Sequence, residues 1–401
     1  LPGDAHPPIV ATPSSSLKPF LIACIVILAI MEGLGVMVTN LPGRSPDFRT
    51  FYAAGYLLRT DRAHFYDMEA QTRVENQHVS PARLQLFFNH PAYEAIVDAP
   101  FTLLPFKWAY RAFMVFNALL MLLCAATARD AFARAIPFLQ PRPGFAMLLF
   151  APLLLALAQG QDSILFLLLV CLCWRETERG NDLTAGLALA LALFRFQLAI
   201  PLAVIFVFRR GLRFAAGFCA GAVGVVALCF GLVGVSGMRG LLHLIQLTSA
   251  ASENTAAQAT IILPITAMAN LRGLLYACGT RFLAPHAAFA IVAIASLAVA
   301  IFCVLRLHLL AALDTAFAIA ILGAILVSYH LFLHDLTLLI LPIVLLAGHV
   351  RQWMLLSAYL APAIVLLFLG TDWYWAAALP VLVLTVAATR APRPAQTVPV
   401  R

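Results

Sequence analysis

The sequence predicts an all-α protein that crosses a lipid bilayer about ten to twelve times. Composition, segment length and arginine placement each point that way. Hydrophobic residues make up 63% of the chain and charged residues 11%. A soluble domain carries about 25% charged residues, and its core cannot hide so much apolar surface, whereas a bilayer is itself apolar. Apolar runs recur along the chain, several of them close to the ~20 residues needed to cross ~30 Å of hydrocarbon. Arginines punctuate the ends of these runs, as expected where short loops face the cytoplasm.

The formal charge of +8 does not indicate nucleic-acid binding. Only Lys18 and Lys107 among the 26 basic residues are lysines, and no basic cluster or recognition motif is present. Membrane topology and lipid phosphate account for the excess. The cysteines (Cys24, Cys124, Cys171, Cys173, Cys219, Cys229, Cys278 and Cys303) fall almost entirely within apolar runs. They read as small core residues, neither a disulfide framework nor a zinc site.

Residues 1–16, rich in Pro and Ser, are expected to be a disordered tail. A single transmembrane domain is expected over 17–390, with a cytoplasmic tail at 391–401. The first run, Phe20–Val38, is long for a signal-peptide core and no small-residue cleavage site follows it, so it reads as an uncleaved anchor. With Lys18 inside, the chain emerges into a first extracytoplasmic loop, 40–93. It returns through 107–128 to Arg129, Arg134 and Arg142.

Two paired runs follow. Residues 145–158 and 163–174 are split by Gln159-Gly160-Gln161-Asp162; residues 183–194 and 198–208 are split by Arg195-Phe196-Gln197. Arg175 and Arg179 follow the first pair, and Arg209, Arg210 and Arg213 the second, so both pairs start and end inside. Each arm rises only about 20 Å, short of the ~30 Å core. The pairs are therefore expected to be hairpins with polar tips sunk in the membrane and facing a protein cavity. One long tilted helix per pair is the alternative, and it would put arginine-rich loops on opposite sides. Helix 214–234 leads to a second extracytoplasmic loop, 235–284. Helices 286–305, 311–329, 336–348, 353–370 and 373–389 complete the set. Trp373, Tyr374 and Trp375 read as an interfacial belt.

This topology places every polar cluster of interest on the extracytoplasmic face. Asp47 follows a Pro and precedes a helical pattern, so helix capping and catalysis are both open to it; one carboxylate serves both only if an oxygen stays free. Phe48, Phe51, Tyr52 and Tyr56 form an aromatic face suited to the membrane surface. The first loop carries Arg44, Arg49, Arg59, Arg62, Arg73 and Arg83, solvated charge for the most part, with one or two available to bind a lipid-linked phosphate. Arg195, within an apolar run, either pairs with Asp162 or neutralises a phosphate at membrane depth. His330 and His334 share a face if the helix extends that far, though the third ligand and glutamate of a zinc-protease pattern are missing; an orienting His beside Asp335 fits better. Glu32, inside the first helix, requires a partner.

The stretch Asp47-Phe48-Arg49-Thr50-Phe51-Tyr52-Ala53-Ala54-Gly55 resembles the signature after the first helix of glycosyltransferase family 87, polytopic enzymes of the GT-C superfamily. That family includes polyprenyl-phosphate-mannose-dependent alpha-1,2-mannosyltransferases. Phe88-Asn89-His90-Pro91-Ala92-Tyr93-Glu94 resembles its Asn/Tyr-Pro-Pro region. Ala99-Pro100, Leu104-Pro105 and Ala109-Tyr110 follow in order. Gly160-Gln161-Asp162-Ser163 resembles its Gly-Gln-Asn/Asp-Ser, and Phe194-Arg195-Phe196-Gln197 its Lys-x-Gln tip. Asn270-Leu271-Arg272-Gly273 and His334-Asp335-Leu336 complete a series running from about 47 to 342. Arg195 stands where the family has Lys, which keeps the charge and changes its reach, and His90-Pro91-Ala92 lacks the double proline.

The resemblance implies a GT-C-like bundle and an inverting transfer of a sugar, mannose in the family members named, from a polyprenyl-phosphate donor to an extracytoplasmic glycan or glycolipid. It implies Asp47 as general base, and Arg195, Arg272 and Arg49 at the donor phosphate. Tyr52, Asn89, His90, Gln161, Asp162, Gln197, His330, His334 and Asp335 would contact substrate. No metal or other cofactor is expected, and the partners are membrane lipid, donor and acceptor. A transporter or lipid flippase is the rival reading, since broken helices and buried charge suit it, but no repeat symmetry between halves is visible. A non-catalytic scaffold is the third.

Overall fold

A computed structural model describes residues 46–79, 86–136, 147, 149–251, 265–309 and 312–390. The expected N-terminal tail, first span and C-terminal tail, with Lys18, Glu32, Arg44, Arg83, Arg142 and Arg393, lie outside the described residues. Within them the chain is helical and contains no strand, as the sequence predicts. Two helices, α1 (Phe48–Thr60) and α2 (Met68–His78), precede the long α3 (Phe106–Thr127) and the short α4 (Arg129–Ala135). Then come α5 (Ala151–Gln159), α6 (Ser163–Glu178), α7 (Asp182–Ala190), α8 (Phe196–Arg210) and α9 (Leu212–Ala251). The remainder are α10 (Leu271–Cys278), α11 (Pro285–Leu307), α12 (Leu313–Val327), α13 (Ile340–Leu345), α14 (Gln352–Ile364) and α15 (Ala378–Ala388).

Among the described residues four stretches are long and apolar enough to cross a membrane, Phe106–Thr127, Leu212–Leu247, Pro285–Leu307 and Gln352–Leu369, while α7 and α8 are bent by 63° at their break, as in a broken span or a re-entrant loop. Among the described residues, length alone therefore gives fewer crossings than the expected ten to twelve. The other apolar helices are shorter, Leu313–Val327, Leu333–Leu345 and Asp372–Ala388 among them. The long helices face outward. On α11, Phe289, Ile294, Leu297, Ile301 and Leu305 are all exposed, a surface that suits lipid and would be costly in water. The short α12 lies inside. Every residue of α12 from Thr315 to Leu326 is buried; its 15 residues span about 22 Å, too little to cross alone.

The second of the two paired runs turns back as expected. Arg210 Nε donates to Asp182 Oδ1 at 2.7 Å, so the start of α7 and the end of α8 meet. The chain then climbs again as α9, parallel to α7. A Cβ on Gly217 would stand 2.0 Å from the Leu183 carbonyl oxygen, and one on Gly221 2.6 Å from Ala190 Cβ. Only glycine allows that approach, a small-residue contact of the kind that packs helices where water supplies no driving force. Arg134 reaches Glu178 at 3.0 Å and Asp314 at 2.8 Å, and Trp174 Nε1 donates to Asp314 at 3.0 Å. Thus α4, the end of α6 and the start of α12 share one end of the bundle, opposite both tips.

Several expectations need correction. The segment 235–284 is not all loop: α9 runs on to Ala251 past a break at Gly234 (φ 67°, ψ −174°), and α10 follows. His330 and His334 do not share a helix, because α12 ends at Val327 and the next turn starts at Leu333. The aromatic face of α1 does not lie on a surface. Phe48, Phe51 and Tyr52 are buried, and Phe48 sits against Phe113, Phe106 and Tyr110 at ring separations of 4.6, 5.9 and 6.1 Å.

Candidate active site

The site is assembled from Asp47 ahead of α1, the turn between α5 and α6, the turn between α7 and α8, and the turn ahead of α13. The first of these turns is fixed by its glycine. Gly160 adopts φ 64°, ψ 49°, and Gly160 N donates to Leu157 O and Gln161 N to Ala156 O, a Schellman ending that satisfies the last carbonyls of α5. A Cβ at Gly160 would stand 2.7 Å from Phe48 Cβ. Glycine is therefore required twice, for the left-handed backbone and for the close seat of α1. Carbonyls of the turn region are met from α3: Tyr110 Oη donates to Ala158 O, and Asn117 Nδ2 to Gln161 O at 3.0 Å. Asn117 lies near the middle of α3, so the tip is sunk well below that helix's start.

This packing presents Asp47 to Gln161. Gln161 Nε2 donates to Asp47 Oδ2 at 2.7 Å. The aspartate does not cap α1 through its side chain, and Thr50 Oγ1 bonds its backbone oxygen at 2.9 Å instead. No described residue donates to Oδ1, and the residue is half-buried. Burial raises the Asp47 pKa above the usual aspartate value, against the opposing effects of His334, the Gln161 hydrogen bond, Arg195 and Arg49.

Gln161 Oε1 accepts from Arg195 Nη2 at 2.8 Å. The same guanidinium binds Asp162 Oδ1 through Nε at 2.8 Å and through Nη2, and Asp335 Oδ1 through Nη1. The Arg195–Asp162 pair foreseen from sequence exists, and Asp335 makes it a buried triad. Asp335 is itself fixed: Phe332 N donates to its Oδ2 at 2.8 Å, and Ser163 Oγ lies 3.4 Å from Oδ1. His334 Nδ1 donates to Gln159 Oε1 at 3.1 Å, and its Nε2 is 3.6 Å from Asp335.

His90 stands on the other side of Asp162. Its Nδ1 lies 2.6 Å from Glu94 Oε2, in a hydrogen bond, and 3.6 Å from Asp162 Oδ2. Burial lowers the His90 pKa to about 4, against the attraction of Asp162, so the ring is neutral. Burial and the Asp162 carboxylate push Glu94 well above the usual range. Glu94, Gln159 and Ser163 fall within the sequence motifs but carry no role assigned from sequence. The signal for Glu94 was its position four residues after His90 on a turn rich in helix-compatible residues.

The other expected residues have contacts of their own. Arg49 is held in a buried pair with Glu75, its Nε 2.8 Å from Oε2, and is neutralised there. Tyr52 Oη donates to Leu104 O at 3.0 Å and serves packing. Arg272 lies with its guanidinium 4.0 Å over the Tyr329 ring and Nη1 3.3 Å from Tyr329 O. Asn270 caps α10 by accepting from Gly273 N at 3.0 Å. His330 packs edge-on against Phe332, with ring centroids 4.4 Å apart. Asn89 and Gln197 are half-buried, and their side chains form no hydrogen bond with a described residue.

A multi-helix membrane bundle with a buried acid–guanidinium cleft is the frame of a membrane-embedded transferase. The sequence model of glycosyltransferase family 87 matches residues 88–329, and the chain belongs to that family. The match contains His90, Glu94, Gln161, Asp162 and Arg195; Asp47, His334 and Asp335 lie outside it and are joined to it by the hydrogen bonds above. No curated protein matches the chain.

Proposed function

We propose that this glycosyltransferase moves a sugar, mannose by the family resemblance, from a polyprenyl-phosphate donor to an extracytoplasmic glycan or glycolipid with inversion at the anomeric carbon. The observation that carries the reading is the half-open carboxylate of Asp47, with one oxygen held by Gln161 and the other available. In a single displacement the acceptor oxygen attacks the anomeric carbon as its proton passes to Asp47. The bond from that carbon to the phosphate oxygen breaks, and its electron pair leaves on the phosphate. One carboxylate suffices for this step, whereas a glycosidase requires two flanking the bond.

The orientation rests on arginine placement. Arg134, Arg175, Arg179, Arg209, Arg210 and Arg213 cluster at the ends of segments opposite the two tips, which favours a cytoplasmic location for that end and the outer leaflet for the cleft. Asp335, His334 and His90 would orient sugar or acceptor hydroxyls. Arg195 and Arg272 would flank the phosphate, Arg195 only after reorganising its carboxylate partners.

Purified protein in detergent, given labelled polyprenyl-phosphate mannose and candidate acceptors, should release polyprenyl phosphate. Asp47→Asn should lower turnover by about 10²–10⁴-fold while donor binding persists. Wild-type turnover by that variant removes Asp47 from the role. Movement of intact donor across vesicles without cleavage would mark a flippase instead.

A further inference from the structure

The polar cleft holds more carboxyl groups than cations. Asp47, Glu94, Asp98, Asp162 and Asp335 gather in and beside it, and among the described residues Arg195 is the guanidinium bonded to this set. Arg195 is already shared between two carboxylates and Gln161. An incoming phosphate would find that cation neutralised and acids around it.

On the far side of Asp162 from Arg195, three potential ligands converge. One ligand atom from each of His90, Glu94 and Asp162 lies within 4.8 Å of the other two. Glu94 is 3% exposed and Asp162 4%. Their Oε1 and Oδ2 atoms are buried and, apart from a hydrogen bond between the two carboxyl groups themselves, have no partner among the described residues. Two buried carboxyl groups with only each other and one imidazole beside them are costly to bury, about 1–3 kcal/mol or more, and Asp162 Oδ2 is the atom that faces His90 Nδ1, at 3.6 Å.

We propose that His90, Glu94 and Asp162 form a binding site for a divalent cation of the manganese type. The donor set fits, because one imidazole with two carboxylates suits first-row divalent ions of mixed nitrogen and oxygen preference. The spacing fits as well. A cation about 2.1 Å from each ligand holds neighbouring ligand atoms about 3.0 Å apart, and the observed separations of 2.6 Å and 3.6 Å straddle that value. Arg195 on Oδ1 then orients the Asp162 carboxylate so that Oδ2 points at the metal, the supporting role that outer partners of metal ligands play. The three protein ligands leave positions open for oxygen atoms of a phosphate. That last role rests on the proposed transfer reaction; the binding of the cation does not.

The full-length protein in detergent, stripped with EDTA, is titrated with Mn2+ and followed by electron paramagnetic resonance. One equivalent should leave the free-ion signal, and the bound ion should show nitrogen coupling from one imidazole. His90→Ala should abolish that coupling, and His90→Ala and Glu94→Gln should each weaken binding by about ten-fold or more. Asp47→Asn, outside the ligand set, should bind Mn2+ as wild type does even when transfer is lost, which separates this site from the catalytic assignment. The wild-type nitrogen coupling stands as a readout if a ligand variant fails to fold. Absence of saturable binding, as a proton shared by Glu94 and Asp162 would give, overturns the proposal; so does binding without imidazole coupling or unchanged in both ligand variants.

Discussion

Asp47 and Arg195 do not touch; the carboxamide of Gln161 spans them, giving its amide to the acid and its oxygen to the guanidinium. An amide placed this way has no freedom to flip, because reversing it would set oxygen against carboxylate and nitrogen against guanidinium. The orientation of Asp47 is thereby tied to a buried triad 115 or more positions away in the chain.

Gln161→Leu should break the tie while leaving Asp47 in place. On the proposed reaction, turnover should fall about 10–100-fold, the range expected when an orienting partner is lost. Gln161→Glu should be worse, since it sets a carboxylate beside Asp47. Initial-rate measurements with saturating donor check both, and a Leu variant at wild-type rate would show that Asp47 is oriented by something else.

Arg195→Ala should destabilise the fold as well as the reaction. It strands Asp162 and Asp335 in a buried setting, and breaking a buried pair from one side costs about 3–5 kcal/mol. Arg195→Lys, which restores the family's residue type, should recover part of that loss with fewer hydrogen bonds. Thermal unfolding in detergent reads the difference.

Gly160→Ala meets two obstacles: a left-handed backbone and a Cβ 2.7 Å from Phe48 Cβ. A loss of about 1–3 kcal/mol is expected from the strain and overpacking, together with displacement of Asp47 from Gln161. Gly224→Ala, where an added Cβ has open space within 4 Å, serves as the control, and its melting temperature should stay close to wild type.

The acid limb of the rate profile should lie above the usual aspartate range. Burial raises Asp47, and a general base works only when ionised. Turnover should therefore rise with pH through the elevated value and fall as pH drops below it. Profiles of kcat/KM on the wild type locate this limb, and a limb at the value of a solvent-exposed aspartate would mean that Asp47 is not the titrating base.

Much of the architecture was legible because the bilayer imposes simple constraints. Short apolar arms flanked by arginines had to turn back, and the Asp182–Arg210 contact shows that the second pair does. The Arg195–Asp162 pair could be foreseen because a guanidinium in an apolar run needs a nearby counter-charge. Less legible was anything decided by tertiary choice among similar partners. Arg49 and Arg195 look alike as loop or tip arginines; only the arrival of Glu75 on α2 takes the first out of the site. Asp47 looked as fit for a helix cap as for catalysis, and its side chain turns to Gln161 because Gly160 lets Phe48 settle against the turn. The continuation of α9 past Gly234 was hidden because a glycine and polar residues there resemble a loop.

The backbone of the α5–α6 turn is satisfied from within the protein. With Tyr110 and Asn117 supplying donors to Ala158 and Gln161, the turn needs no column of solvent to reach it. On the proposed reaction, keeping that water column out would leave fewer competing nucleophiles beside Asp47. On the proposed chemistry, that scarcity is what keeps a sugar-transferring enzyme from squandering its lipid-linked donor by hydrolysis.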